Sequence, residues 1–143
     1  YPLPVFDKAM EHLKAIGVET VVHAILGLPG ETTDMILDTV RYINASGADG
    51  IKLQLLHILK DTDLAAYYED TGFHVLTLDE YVELIIRCLE ISRPDLVIHR
   101  LTGDGPKDLL IAPLWSQAKR QVLNTIHREF KNRDTYQGRL SMP

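Results

Sequence analysis

Glu19-Thr-Val-Val-His-Ala-Ile-Leu26, followed at once by Gly27-Leu-Pro-Gly30-Glu31-Thr32, decides the fold. The first eight residues are rich in valine and read as a buried strand. Two glycines and a proline then enforce a tight loop. Thr32 or Thr33 can accept a backbone N–H and so cap a helix over residues 33–45. That helix carries an apolar stripe of Met35, Ile36, Val40 and Ile43, and Gly47 ends it. Strand, loop and helix in this order are the first half of a β/α unit.

Working outward, Val5, Phe6, Ala9, Met10, Leu13 and Ile16 fall on one face of a helix from about Pro4 to Ile16, with Gly17 as its stop. The chain opens Tyr1-Pro2-Leu3-Pro4 rather than with Met. A sequence that begins almost at once on an amphipathic helix is expected to be a piece of something longer. Downstream, Gly50 to His57 reads as a second strand and Thr62 to Asp70 as a short helix. Thr77 followed by Glu80 is a capping box that starts a helix reaching about Ile91. Pro94 punctuates, Asp95 to Arg100 reads as a third strand, and Thr102 to Pro106 as a loop. A last helix is expected from Pro113 to Lys131, with Trp115, Ala118, Val122, Ile126 and Phe130 inward. The tail after Asn132 is polar, either loose or packed on a neighbour.

Strands alternating with helices imply a parallel sheet with right-handed crossovers. The first two strands are near-continuous apolar runs, as expected where both faces are covered. Three strands are few for an α/β domain, which again points to a piece of a larger barrel or sheet.

The composition is that of an ordinary globular chain of 143 residues, 45% hydrophobic and 24% charged. A net charge of −5 argues against a dedicated nucleic-acid surface. Lys119, Arg120, Arg128, Lys131, Arg133 and Arg139 nonetheless give the last quarter a positive bias, read as a solvated helix face. The single cysteine, Cys88, excludes a disulfide framework within the chain and a four-cysteine zinc site. It falls in the apolar pattern Tyr81, Val82, Leu84, Ile85, Cys88, Leu89 and reads as a core residue. With no signal peptide and no apolar run long enough for a bilayer, no membrane role is expected and a cytoplasmic location is the default.

In barrels, chemistry sits at the C-terminal ends of strands, here Gly27, His57 and Arg100. Alternation puts His23 on a face with Ile25 and Gly27, and Lys52 with Gln54 opposite Leu53, Leu55 and His57. A lysine and a glutamine on an otherwise apolar strand need a hydrogen-bond partner or a ligand if buried. His23, Lys52, Gln54 and Arg100 are therefore the candidates for lining a substrate cavity. His23, His57 and His99 stand 34 and 42 residues apart, without a His-x-His pair or a carboxylate partner. No metal site is assigned, and a histidine-metal hydrolase stays only as an alternative. No residue is a compelling acid or base, so the catalytic residues are unknown.

The segment His23-Ala-Ile-Leu-Gly-Leu-Pro-Gly-Glu-Thr32 resembles the fifth-strand motif of radical S-adenosylmethionine enzymes, closest to the coproporphyrinogen-dehydrogenase-like and Elongator-catalytic-subunit-like branch. Gly47-Ala-Asp-Gly-Ile-Lys-Leu-Gln-Leu-Leu-His-Ile-Leu-Lys60 resembles the sixth strand. Val97-Ile-His-Arg-Leu-Thr-Gly-Asp104 with Leu110-Ile-Ala-Pro-Leu-Trp115 is similar to the C-terminal extension of an uncharacterised subfamily. The resemblance implies an α/β fold: the C-terminal part of a (β/α)6 partial TIM barrel, with parallel strands and flanking helices, plus a C-terminal helical extension. Residues 1–92 would be the last barrel strands and helices and residues 93–143 the extension. It also implies a Cys-x-x-x-Cys-x-x-Cys loop holding a [4Fe-4S] cluster that cleaves S-adenosylmethionine to a 5′-deoxyadenosyl radical, which takes hydrogen from a substrate. Ile25 and Gly27, then Leu55, Leu56 and His57, would lie by the adenine.

This sequence departs from the family in having no cysteine triad. The cluster ligands are expected upstream, and the chain alone is expected to bind neither cofactor and to be inactive. If the earlier strands are missing, the first strand is an exposed edge, the apolar inner face loses its cover, and the chain should self-associate by edge pairing or by swapping its first helix. The substrate is unknown. The non-enzyme alternative is a module that docks a protein or RNA partner through the basic last helix.

Overall fold

Each strand expected from the sequence forms, and the three lie side by side in the order β1-β2-β4, all parallel. They are β1 (Val21–Leu26), β2 (Gly50–Leu55) and β4 (Val97–Arg100). The computed structural model describes residues 1–141. Helices α1 (Leu3–Ala15), α2 (Thr33–Ser46), α3 (Asp63–Thr71), α4 (Leu78–Ile91) and α5 (Lys119–Asn132) complete the chain, with a short antiparallel pair, β3 (Ile58–Leu59) and β5 (Leu110–Ala112).

Local chemistry explains the helix starts. The Thr32 hydroxyl accepts from the Met35 N–H at 3.2 Å and caps α2. Thr77 and Glu80 form the reciprocal capping box at α4, 3.2 Å from the Glu80 N–H to the Thr77 hydroxyl and 2.9 Å from the Thr77 N–H to the Glu80 carboxylate.

One face of the sheet is dry. Ala24 and Leu26 of β1 and Ile51, Leu53 and Leu55 of β2 are buried in one cluster with Ile36, Val40 and Ile43 of α2 and Val82, Ile85 and Ile86 of α4. Val122 and Ile126 of α5 join it from beyond α4. Burying such side chains stabilises by about 1.5–3 kcal/mol each, so this layer holds the fold together.

The opposite face is open, which corrects the expectation that both faces of the first strands are covered. His23 is exposed, and Ile25 is 48% exposed against 0% for Ile51 and Leu53. The apolar stripe of α1 is also largely uncovered, with only Met10 buried. Among the described residues β1 is an edge strand, paired on its β2 side alone.

Other boundaries differ. β2 ends at Leu55, so His57 lies beyond the strand. The last helix begins at Lys119, because residues Leu114–Gln117 form a 3-10 turn after a cis Ala112-Pro113 bond. The described part of the tail is not loose. It folds back on the end of α4, where the Gly138 N–H donates to the Leu89 carbonyl at 2.9 Å and the Leu140 N–H to the Glu90 carbonyl at 2.8 Å.

Candidate functional site

The open face gathers the cavity candidates. The strand register sets His23 beside Lys52 and Lys52 beside Arg100, giving one row across three strands. Gln54 stands two residues further along β2, beside Ile25. Regular alternation would put His99, not Arg100, level with Lys52. A register shift between Ile51 and Lys52 brings Arg100 there instead. His99 remains on the same face, because a Cβ built on Gly50 would lie 2.6 Å from its ring. His57 is set apart from the row, so the structure does not bring the three histidines together. Among the described residues, no group of three His, Cys, Asp or Glu side chains is placed to hold a metal ion.

Just past β1, Gly27 adopts φ +90°, a conformation that side chains oppose. Its N–H and that of Leu28 both donate to the Glu31 carboxylate at 3.1 Å. Glu31 thereby holds the Gly-Leu-Pro-Gly loop against the start of α2. Leu76 closes over the same spot, since a Cβ on Gly27 would meet its Cδ1 at 2.9 Å. The Leu76 carbonyl is in turn held by the Trp115 indole N–H at 3.0 Å, and the Trp115 ring lies 5.4 Å from that of Tyr81. The Tyr81 hydroxyl donates to the Leu101 carbonyl at 2.6 Å.

At the end of β2, Leu55 is a core side chain, and the Leu56 N–H is spent on the Leu26 carbonyl at 3.0 Å. His57 is half-buried against Gly103 and Gly105 of the following loop. Burial holds its imidazole below the usual basicity, and the Lys119 ammonium adds to this. Asp104, between those glycines, pairs with Arg100 at 3.4 Å and with Lys119. The sequence pattern does not single out Glu31, Leu76, Trp115 or Asp104 for this site, and it places Lys119 only on the basic face of the last helix. Glu31 had a readable signal, a carboxylate placed to accept the N–H groups of the glycine loop just before it. The others meet only through tertiary packing.

This arrangement can hold an apolar ring edge on Ile25 beside Gly27, and polar groups along the His23 row. The chain belongs to the family of the Radical_SAM C-terminal domain, whose pattern it matches over residues 48–132. Among individual relatives it is 40% identical to the uncharacterized protein YtqA of Bacillus subtilis (strain 168) over 134 residues, 94% of this chain and 42% of that protein. It is 32% identical to the protein YhcC of Escherichia coli (strain K12), over 78% of this chain and 36% of that protein. The chain thus spans about two-fifths of the length of these relatives. Its fold matches that of the archaeal Methanocaldococcus infernus Elp3 with an N-terminal deletion, at a TM-score of 0.81 and 17% identity, over 96% of this chain and 32% of that one. The α/β architecture, a parallel sheet with flanking helices and a helical extension, is therefore shared with a radical S-adenosylmethionine-related fold.

Proposed function

We propose that this chain is the C-terminal portion of a radical S-adenosylmethionine enzyme, with the open sheet face lining the reaction chamber. The observation that carries this is the open face itself: Ile25 and Gln54 stand together on it, with Gly27 just beyond, while α2 and α4 pack on the other side.

The two cofactors fit this chain differently. Ile25 offers an exposed apolar surface beside the positive-φ Gly27, a surface suited to an adenine. For the cluster the donor set does not fit. Cys88 is buried and its thiol is pushed up to about 12, so it is no ready thiolate ligand. The cluster would be held by cysteines outside this chain, and no step here is derived through it. S-adenosylmethionine, when bound at such a cluster, supplies the hydrogen-abstracting radical. This chain's contribution is positional: Glu31 fixes the Gly27 and Leu28 backbone, Leu76 and Trp115 brace it, and the His23 row faces the substrate. The substrate itself is unassigned.

The test is anaerobic purification of the full-length protein. An iron–sulfur absorbance that S-adenosylmethionine perturbs, and 5′-deoxyadenosine on reduction, are the expected results. Gly27→Val should weaken that perturbation, since its side chain would strike Leu76. A full-length protein that assembles no cluster would sink the proposal.

A second reading has its own observation. Lys107, Lys119, Arg120 and Arg128 line a groove of about 760 Å³ beside α5 that has no acidic lining residue among those described. It would make the extension a docking surface for an acidic protein or RNA. Binding that weakens with salt and is lost in Lys119→Glu/Arg120→Glu would support it, and salt-independent binding would oppose it.

A further inference from the structure

The open sheet face has a one-sided charge. The chain carries 20 acidic and 15 basic residues, yet Val21–Leu26, Gly50–Leu55 and Val97–Arg100 contain no carboxylate at all. They contain His23, Lys52, His99 and Arg100; the first three stand on the face away from the helices, and the shifted register sets Arg100 beside Lys52. A face adapted merely to water would mix both signs of charge. This one instead mixes these bases with exposed aliphatic side chains, Ile25 at 48% and Val97 at 51%. That is the composition of a pocket wall, apolar with a few converging polar groups.

Lys52 is the centre of the row. It sits on the middle strand between two fully buried residues, Ile51 and Leu53, and no ion pair or side-chain hydrogen bond engages it among the described residues. Its neighbours offer no acid: His23 flanks it on β1 and Arg100 on β4. Adjacent strands lie about 4.8 Å apart, so three such side chains can converge on one small group. Asp104 is shared between Arg100 and Lys119 and leaves those two cations with a net positive charge, while Glu31 and Asp38 line the groove that His23 borders on its β1 side. A lysine ammonium and an arginine fork level with each other favour a planar or tetrahedral oxyanion, through charge-assisted hydrogen bonds.

We infer that this face is an anion-binding site for a carboxylate or phosphate group, with Lys52 and Arg100 as its charged ligands and His23 and Gln54 as flanking hydrogen-bonding groups. That the anion is part of the substrate rests on the proposed function above. That the face binds an anion does not.

The test is a titration of the 143-residue chain with malonate and, separately, with inorganic phosphate, at ionic strength matched with chloride. The ring signals of His23 and His99 are followed by NMR. Saturable shifts at one equivalent are expected from at least one anion, and the one that binds names the group as carboxylate or phosphate. Lys52→Gln and Arg100→Gln should each weaken binding about tenfold, the effect of losing one charge-assisted contact. Lys52→Arg should restore it, and Arg41→Gln on the remote α2 should leave it unchanged. If neither anion shifts the rings beyond chloride, or if Lys52→Gln binds as the unaltered chain does, the inference is overturned. Because no cluster or radical enters this experiment, its failure would leave the reading of the parent enzyme intact.

Discussion

Gly103→Ala should reverse its sign with the residue at position 57. Gly103 is not among the glycines with positive φ, so its backbone accepts alanine without strain. What opposes the methyl group is the His57 ring. A Cβ on Gly103 would lie 2.9 Å from Nδ1 and closer still to Cε1. These atoms are the far end of a mobile side chain, so the ring would be driven out rather than the backbone bent. Such overpacking costs about 1–3 kcal/mol. With His57→Ala already in place, the obstruction is gone. The same change should then stabilise by about 0.4–1 kcal/mol, by restricting the unfolded chain.

The two backgrounds should therefore differ by roughly 1.5–4 kcal/mol, a coupling that a double-mutant cycle resolves. The assay is urea unfolding at neutral pH, followed by far-UV circular dichroism, on the four proteins of the cycle. A second readout is the His57 titration by NMR. Its basicity is held down by burial and by Lys119, so expulsion in Gly103→Ala should raise it. Equal costs of Gly103→Ala in both backgrounds would refute the contact, and with it the claim that this loop folds around His57.

The same imidazole gives a pH dependence. Its folded value is depressed, so the unfolded chain binds more protons just below about pH 6.5; stability should be fully present above that and fall as pH drops through the folded value, and urea midpoints of the chain and of His57→Gln should converge in acid. A constant offset between them would contradict this. Cys88, buried with its thiol raised to about 12, should react with iodoacetamide only as the chain unfolds; labelling of the native chain at the rate of a free thiol would show the core to be open. The free edge of β1, next to an apolar groove of about 630 Å³ that includes Leu3, Phe6 and Met35, should make the chain associate with itself at micromolar concentration. Light scattering checks this, and a clean monomer would count against it.

What the sequence reveals of this fold follows from how local the cause is. The caps at Thr32 and Thr77 are legible because donor and acceptor lie three residues apart. The His23, Lys52 and Gln54 face is legible because alternation has a period of two. The open side of β1 is not, since Val21 to Leu26 is apolar whether or not its second face is covered. Nor are β3 and β5, two and three residues long, which exist only because they meet each other. The placement of Arg100 beside Lys52 rests on a register shift in β2–β4 pairing, which no pattern within Val97 to Arg100 announces. His57 falls outside its strand because β2 gives way there to the turn into β3.

The C-terminal segment acts where the strands end. β5 pairs with β3, Asp104 joins Arg100 to Lys119, and Trp115 holds the carbonyl of Leu76, whose side chain lies over Gly27. None of these is a large energy; a hydrogen bond like that of Trp115 contributes about 0.5–1.5 kcal/mol net. Their common location matters more than their sum. The core made by α2, α4 and the dry sheet face also takes in Val122 and Ile126 of α5, with Trp115 packed against it. In the loops after β1 and β2, Gly27 is held by Glu31 and Leu76, and His57 packs against the Gly103 loop. The extension thus orders the strand ends as well as adding Val122 and Ile126 to the core. A face that must present Ile25, Gln54 and Lys52 in fixed register to a ligand depends on those ends staying in place.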